Sequence, residues 1–341
     1  MMRRIRNQIF QALSSGDLSV YKLIDCQDAS LPEFFNLLTE LEEEGLIKVE
    51  NGIVRLTPKG KEYISKVNAV NIDVRCKCCD GTGYVISKDF EEILKKYKEI
   101  AKDRPSALEK FDQGFISPEG VIKRVEFIYE RGDLLNSRIF VVGDDDLLSV
   151  AAALTEMPEK INVIDADGRL IDFINRVAER HGFPIEAEIC DVQEELPEKF
   201  RKKFDVFVTD PVETIPGLKL FLSRGVSSLK GEGCSGYFGI TTLEASRKKW
   251  FEIQKMILDM GFVITDLRRK FNVYPDEEKN FFRFQEKLPI VKRLGAKIDY
   301  NFYTSSLFRI EAVREPKPIV EGRMVINEAV YKDEESWATP Y

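Results

Sequence analysis

The feature that most constrains the fold of this 341-residue chain is a series of short apolar runs, alternating with helical stretches from residue 139 onward. Ile139-Phe140-Val141-Val142 contains no polar residue, as expected of a strand covered on both faces. Further strand-like runs follow at 161–164, 185–189, 204–208, 233–240, 262–271 and 307–312. Helical stretches at 147–155, 169–181, 219–229 and 243–260 separate the earlier runs. Strands alternating with helices predict an α/β fold built on a doubly wound parallel sheet. In such sheets ligands sit outside the carboxyl ends of the strands.

The first strand runs directly into Gly143-Asp144-Asp145-Asp146. A glycine-rich loop here would offer backbone N–H groups to a phosphate or carboxylate. Three adjacent aspartates repel such a ligand and suit one that ends in positive charge. Acids close the next strands too: Asp165 after the second, Asp191 after the third, and Thr209-Asp210-Pro211-Val212-Glu213-Thr214 after the fourth. One aspartate after a strand is often only a helix cap. Four in order form a pattern that capping does not explain.

Composition narrows the chemistry. A net charge of −7 argues against a nucleic-acid surface, because phosphate binding needs clustered Lys and Arg. Charged residues make up 32% of the chain, with Glu and Lys abundant, as is common in thermophiles. His181 is the only histidine, which excludes a histidine-based triad or a multi-histidine metal site within one chain. No apolar stretch approaches the ~20 residues of a membrane span, and no signal-peptide core follows Met1. The expectation is a cytoplasmic protein.

Residues 1–70 read as three helices and a hairpin. Ile5, Ile9, Phe10 and Leu13 lie at helical spacing; Ser19 and Ser30 can cap the next two helices. Asn51-Gly52 turns a two-stranded hairpin, and Thr57-Pro58 opens a closing helix. This pattern resembles a winged-helix domain. The helix that would read DNA, residues 31–44, carries five glutamates and no Lys or Arg, so its charge favours a packing or dimerisation module. Residues 71–135 read as a connecting segment, 136–314 as the catalytic domain and 315–341 as a charged tail over the surface. In the connecting segment Cys76 and Cys79 form a Cys-x-x-Cys followed by Gly81-Thr82-Gly83, which resembles half a zinc knuckle. Zinc needs four ligands and no second such pair exists, so a metal here requires Cys78, distant cysteines or a second subunit, and the simpler reading is a reduced-thiol turn with no metal.

Two late strands after the last helix resemble a Rossmann-like methyltransferase-type sheet. The Asp210-Pro211-Val212-Glu213 loop resembles the Asp-Pro-Pro-Tyr loop of amino-methyltransferases, with Glu213 in place of the aromatic residue that stacks on a base. A carboxylate there suits a flexible aliphatic amine. Together with the Gly-Asp-Asp-Asp loop and the Asp112-Gln113-Gly114 segment, these features resemble the branched-chain polyamine synthases, the N4-bis(aminopropyl)spermidine synthases of thermophilic archaea and bacteria. That resemblance implies decarboxylated S-adenosylmethionine as co-substrate, with no tightly bound cofactor. It also implies spermidine as acceptor and two aminopropyl transfers to its central secondary amine.

On this reading Gly143, Asp144, Asp145, Asp165 and Asp191 hold the donor, and Gln113, Pro211 and Thr214 hold the polyamine. Asp146 or Asp210 takes the amine proton, while Glu213, Asp144 and Asp145 anchor terminal ammonium groups. Each such charge pair is worth ~1–4 kcal/mol at partial burial. The expected partner is a small polyamine, with neither nucleic acid nor membrane, and the expected assembly is a homodimer. The alternatives are an S-adenosylmethionine-dependent amino-methyltransferase, a linear spermidine synthase, and a DNA-binding regulator that senses a ligand. The first predicts a basic groove and a stacking aromatic, and the last a basic recognition helix.

Overall fold

The computed structural model describes residues 2–67, 69–71, 76–79, 81–276, 282–325 and 327–337. The N-terminal part comprises α1 (Met2–Leu13), β1 (Leu18–Ser19), α2 (Val20–Asp25), α3 (Leu31–Glu43), β2 (Ile47–Glu50), β3 (Ile53–Leu56) and α4 (Pro58–Val67). Ile5, Ile9, Phe10 and Leu13 of α1 are buried against Phe34, Leu37, Leu38 and Leu41 of α3, the apolar faces expected from the spacing. Ser19 caps α2 by accepting the Lys22 N–H, and Ser30 N–H donates to Glu33 at the start of α3. Asn51 and Gly52 both adopt positive φ (50° and 76°), the conformation a two-residue hairpin turn requires.

The remainder comprises α5 (Lys88–Ala101), α6 (Pro118–Glu130), β4 (Arg138–Val142), α7 (Leu148–Ala153), β5 (Lys160–Asp165), α8 (Gly168–His181), β6 (Ile185–Ile189), β7 (Val206–Thr209), α9 (Ile215–Ser228), β8 (Ser235–Thr241), α10 (Arg247–Asp259), β9 (Phe262–Val273), α11 (Pro289–Leu294), β10 (Thr304–Ala312) and α12 (Glu328–Tyr331). Seven strands form one sheet in the order β6-β5-β4-β7-β8-β10-β9. The first five are parallel, and β10 runs antiparallel between β8 and β9. This is the Rossmann-like, doubly wound sheet the sequence predicts.

Alternate residues of β4 serve two cores. Ile139 and Val141 join α6, α7 and α8, while Phe140 and Val142 join α9 and α10. The order reverses beside β4, so the crevice for a ligand opens where Gly143 begins. Among the described residues no helix is long and apolar enough to cross a membrane.

Two segments depart from the sequence expectation. The stretch between β9 and β10, which has no periodic pattern, packs back on the N-terminal part. Gly52 N–H donates to the Leu294 carbonyl at 2.8 Å, and Tyr21 packs at a tilt against Phe302 with ring centroids 4.7 Å apart. The tail from residue 315 does more than cover the surface. Arg224 of α9, itself buried, donates to the carbonyls of Val320, Glu321 and Gly322, and Val330 is buried against α9. Trp337 then stacks on Phe35 of α3, so the tail joins both ends of the molecule.

Candidate active site

One cavity opens at the carboxyl ends of β4, β5, β6 and β7. Its wall includes Asp112, Asp145, Asp165, Asp191, Asp210, Glu213 and Glu244, with Gln113, Gly143, Pro211, Phe221, Tyr274, Tyr303, Tyr331 and Ser336 between them. Among the described residues no Lys, Arg or His lines it. A wall of this kind repels anions and is completed by a polycation.

The three consecutive aspartates point in three directions. Leu147 adopts a left-handed conformation (φ 54°), which tightens the loop into the start of α7. Asp144 turns back under this helix, where its carboxylate accepts the N–H groups of Leu148 (2.7 Å) and Ser149 (3.2 Å) and the Ser149 hydroxyl. Asp145 faces the cavity and accepts the Gly114 N–H at 2.8 Å. Asp146 turns into the core, accepting the Ile116 N–H at 2.7 Å and pairing with Arg124 at 3.3 Å. Of the three, only Asp145 lies on the wall of this cavity, while Asp144 caps α7 and Asp146 pairs with Arg124. A tight turn cannot aim three successive side chains at one side.

Thr214 also lies off the wall. Its hydroxyl oxygen accepts the Gly217 N–H at 3.0 Å as the N-cap of α9 and donates to the Val330 carbonyl. Gln113 reaches the wall, but its polar atoms are committed. Nε2 donates to Asp167 at 3.1 Å and Oε1 accepts the Leu108 N–H at 2.9 Å, so it shapes the loop.

Gly143, Asp165, Asp191, Asp210, Pro211 and Glu213 gather at the cavity as the strand order implies. Gly143 has φ 74° with open space where a Cβ would stand, which leaves room for close approach of a ligand. Asp165 accepts the Asp167 N–H at 2.8 Å and the Asp144 N–H at 3.2 Å, which fixes its rotamer. Asp191 accepts the Gln193 N–H at 3.0 Å.

Asp210 is the most tightly held. Gly239 N–H donates to one oxygen at 3.0 Å, and the Arg124 guanidinium (3.0 Å) and the Tyr274 hydroxyl (3.5 Å) donate to the other. Glu213 accepts the Thr241 N–H at 2.7 Å through one oxygen, while the other is buried without a partner. Asp112, at φ 52°, likewise carries a buried oxygen without a partner.

The acids strain against one another. Burial, then the nearby Asp165 and Asp210, pushes the Asp145 carboxyl up to about 7. Burial raises Asp144 to about 8 against its hydrogen bonds, and Asp146 well above the usual range although Arg124 opposes the rise. Glu213 and Asp112 are raised by burial and by Glu244. Burial also raises Asp165.

The residue that sequence reasoning missed most plainly is Arg124. It lies on the buried face of α6 among Val121, Ile122, Val125 and Ile128, with its guanidinium between Asp146 and Asp210. A lone cation on an apolar helix stripe was the available signal, since such a charge is buried only with a partner. Glu244, Tyr274 and Tyr303 had no local signal. Tyr303 donates to Glu244 at 2.9 Å, brought there because the start of β10 pairs with the end of β8.

Comparison with known proteins agrees with this geometry. Residues 92–338 match the family model of the branched-chain polyamine synthase A C-terminal domain. The chain belongs to the branched-chain polyamine synthase family. It is 41% identical to the N(4)-bis(aminopropyl)spermidine synthase of Methanocaldococcus jannaschii, with 99% of this chain and 95% of that protein covered. It is 40% identical to the enzyme of the same name from Thermococcus kodakarensis, over 99% and 95%. It also resembles the crystal structure of the branched-chain polyamine synthase from Thermus thermophilus. The TM-score is 0.83 at 33% identity, with 97% of this chain and 92% of that chain covered. That structure holds N4-aminopropylspermidine and 5'-methylthioadenosine.

Proposed function

We propose that this chain transfers aminopropyl groups from decarboxylated S-adenosylmethionine to the central secondary amine of spermidine. N4-aminopropylspermidine forms first and N4-bis(aminopropyl)spermidine second, with 5'-methylthioadenosine leaving each time. The observation that carries this reading is the cavity wall of seven carboxylates without a cation, in a family whose solved member holds that intermediate and that leaving group. The acidic α3 and the charge of −7 support a partner that is not nucleic acid, and free cysteines support a cytoplasmic setting. A homodimer is part of the same proposal.

In this mechanism the adenosine half of the donor lies between Asp165, which takes the ribose hydroxyls, and Asp191, which meets the adenine amine. Asp145 holds the donor ammonium. The same charge disfavours ordinary S-adenosylmethionine, whose carboxylate would face it. The polyamine lies along Asp210, Glu213 and Glu244.

Asp210, pinned by Gly239 and Arg124, accepts a hydrogen bond from the reacting nitrogen and aims its lone pair. Both of its oxygens already accept hydrogen bonds from the protein, so its part is to position the nitrogen. Glu213, with raised proton affinity and one unpartnered oxygen, takes the proton. The nitrogen then forms a bond to the aminopropyl carbon as the carbon–sulfur bond breaks, and the sulfur leaves neutral. Asp144 and Asp146 serve by fixing the loop.

The test is incubation with spermidine and either donor, read by mass spectrometry with fragmentation. Products carrying one and then two added aminopropyl groups on the central nitrogen, with the decarboxylated donor alone, are expected. Methylated products would refute the reading, and so would addition at a terminal nitrogen.

A further inference from the structure

The cavity leaves unexplained the cysteine turn that precedes α5. The sequence offers the Cys76 and Cys79 pair with Cys78 between them as a further candidate, and the fold draws the three together. The sulfurs of Cys76, Cys78 and Cys79 all lie within 4.8 Å of one another, and those of Cys76 and Cys78 are 3.0 Å apart. Three thiolates around one tetrahedral zinc ion stand ~3.8 Å apart, given Zn–S bonds of ~2.3 Å. Sulfurs gathered within 4.8 Å need only small side-chain adjustments to reach that spacing.

The backbone holds the turn independently of the sulfurs. Gly81 N–H donates to the Cys76 carbonyl at 3.2 Å, and the Thr82 N–H and hydroxyl donate to the Cys79 carbonyl at 3.0 and 2.6 Å. Gly81 and Gly83, at φ 78° and 72°, reverse the chain beneath the thiols. Cys79 is buried and anchors the floor, whereas Cys76 and Cys78 are exposed, so an ion has a way in.

We infer that Cys76, Cys78 and Cys79 bind one thiophilic divalent cation, Zn2+ by preference, through three thiolates, with the fourth position filled by water. Binding releases the three thiol protons and forms three sulfur–metal bonds, with no redox change. Three thiolates and Zn2+ leave one net negative charge. Lys123 of α6 stands beside it, donating to the Thr82 hydroxyl oxygen at 3.3 Å. Just past Gly83, Tyr84 packs edge-on against Phe127 of α6 and Phe271 of β9. Those elements carry Arg124 and lead to Tyr274. The ion thus closes the turn whose next residue, Tyr84, packs on α6 and β9, and it does so without touching the cavity.

The test uses the reduced full chain, stripped with a chelator and titrated with Co2+ alone and then Zn2+ alone. One ion per chain is expected, with thiolate-to-cobalt charge-transfer absorption that Zn2+ abolishes. Loss of one ligand should weaken binding by roughly 100-fold or more in Cys76→Ser and Cys78→Ser, and Cys26→Ser should change nothing. Absence of the charge-transfer band overturns the proposal, and so does a Cys78→Ser variant that binds as tightly as the parent. Alkylation of the unmodified chain gives a readout that needs no variant. Zn2+ should protect the exposed Cys76 and Cys78 together, and unchanged labelling of either overturns the assignment.

Discussion

Replacing Asp145 by asparagine removes one charge from the cavity wall at constant shape, and stability and activity should move in opposite directions. The Asp145 carboxyl lies half-buried on the cavity wall beside Asp165 and Asp210, and burial with those neighbouring charges raises it from its ordinary 3.8 to about 7. The unfolded chain releases this proton near pH 3.8, whereas the folded chain keeps it to about pH 7. Stability therefore falls as pH rises through that window, by about 1.4 kcal/mol per pH unit, and stays lower above it. The full span sets a ceiling of about 4 kcal/mol. Water entering the open cavity, and neighbours that share the proton, reduce this to about 2 kcal/mol.

Asparagine does not titrate, and its amide oxygen can still accept the Gly114 N–H. Asp145→Asn should match the parent near pH 4 and exceed it by about 2 kcal/mol at pH 8, or roughly 3 °C in melting temperature for a chain of this length. Saturating spermidine should narrow the difference, because a bound cation relieves the repulsion in the parent. The rate constant kcat/KM for the decarboxylated donor should meanwhile fall roughly 10- to 100-fold, the cost of one ammonium partner at partial burial. Thermal melts at pH 4 to 8.5 with and without spermidine, beside initial rates, measure both effects. A stability difference that does not change with pH would refute the claim that the wall acids repel one another. An unchanged kcat/KM would refute the assignment of Asp145 to the donor.

Glu213→Gln should lower turnover roughly 100-fold and remove the acid limb of the kcat/KM profile, since the raised carboxyl must lose its proton before it can accept one. A limb that survives would place the proton on another group. Arg124→Met leaves Asp146 buried without its cation and should cost about 3–5 kcal/mol in urea unfolding. Asp146→Asn in that background should recover at least about 1 kcal/mol, and strictly additive costs would contradict the pairing. In Gly239→Ala the new Cβ would stand 2.5 Å from the Asp210 carboxylate and 3.0 Å from the Ser305 hydroxyl. It should displace Asp210 and lower kcat roughly 10-fold or more while leaving methylthioadenosine affinity unchanged; an unaltered kcat would show that the placement of Asp210 does not limit the reaction.

The sheet and the chemical class of its ligand were legible without coordinates. Hydrophobic runs such as 139–142 can only be strands covered on both faces, and acids closing four successive strands must converge where a parallel sheet gathers its carboxyl ends. Both follow from local periodicity and chain order, which a sequence carries in full. The direction of each side chain does not. Asp144, Asp145 and Asp146 are chemically equivalent as sequence, and only the left-handed turn at Leu147 decides that the second faces the cavity while its neighbours cap α7 and pair with Arg124.

Contacts distant in sequence are decided the same way. Arg124 meets Asp210 across 86 positions, Tyr303 meets Glu244 across 59, and the tail reaches the cavity through Tyr331 and Ser336. The third sulfur of the cysteine turn belongs with them. Its neighbours in sequence are fixed, but its distance from Cys76 depends on how the chain reverses. Which charges the protein presents could be read residue by residue along the chain. Tertiary structure alone decided which of them face the substrate, because burial and pairing are properties of the packed chain.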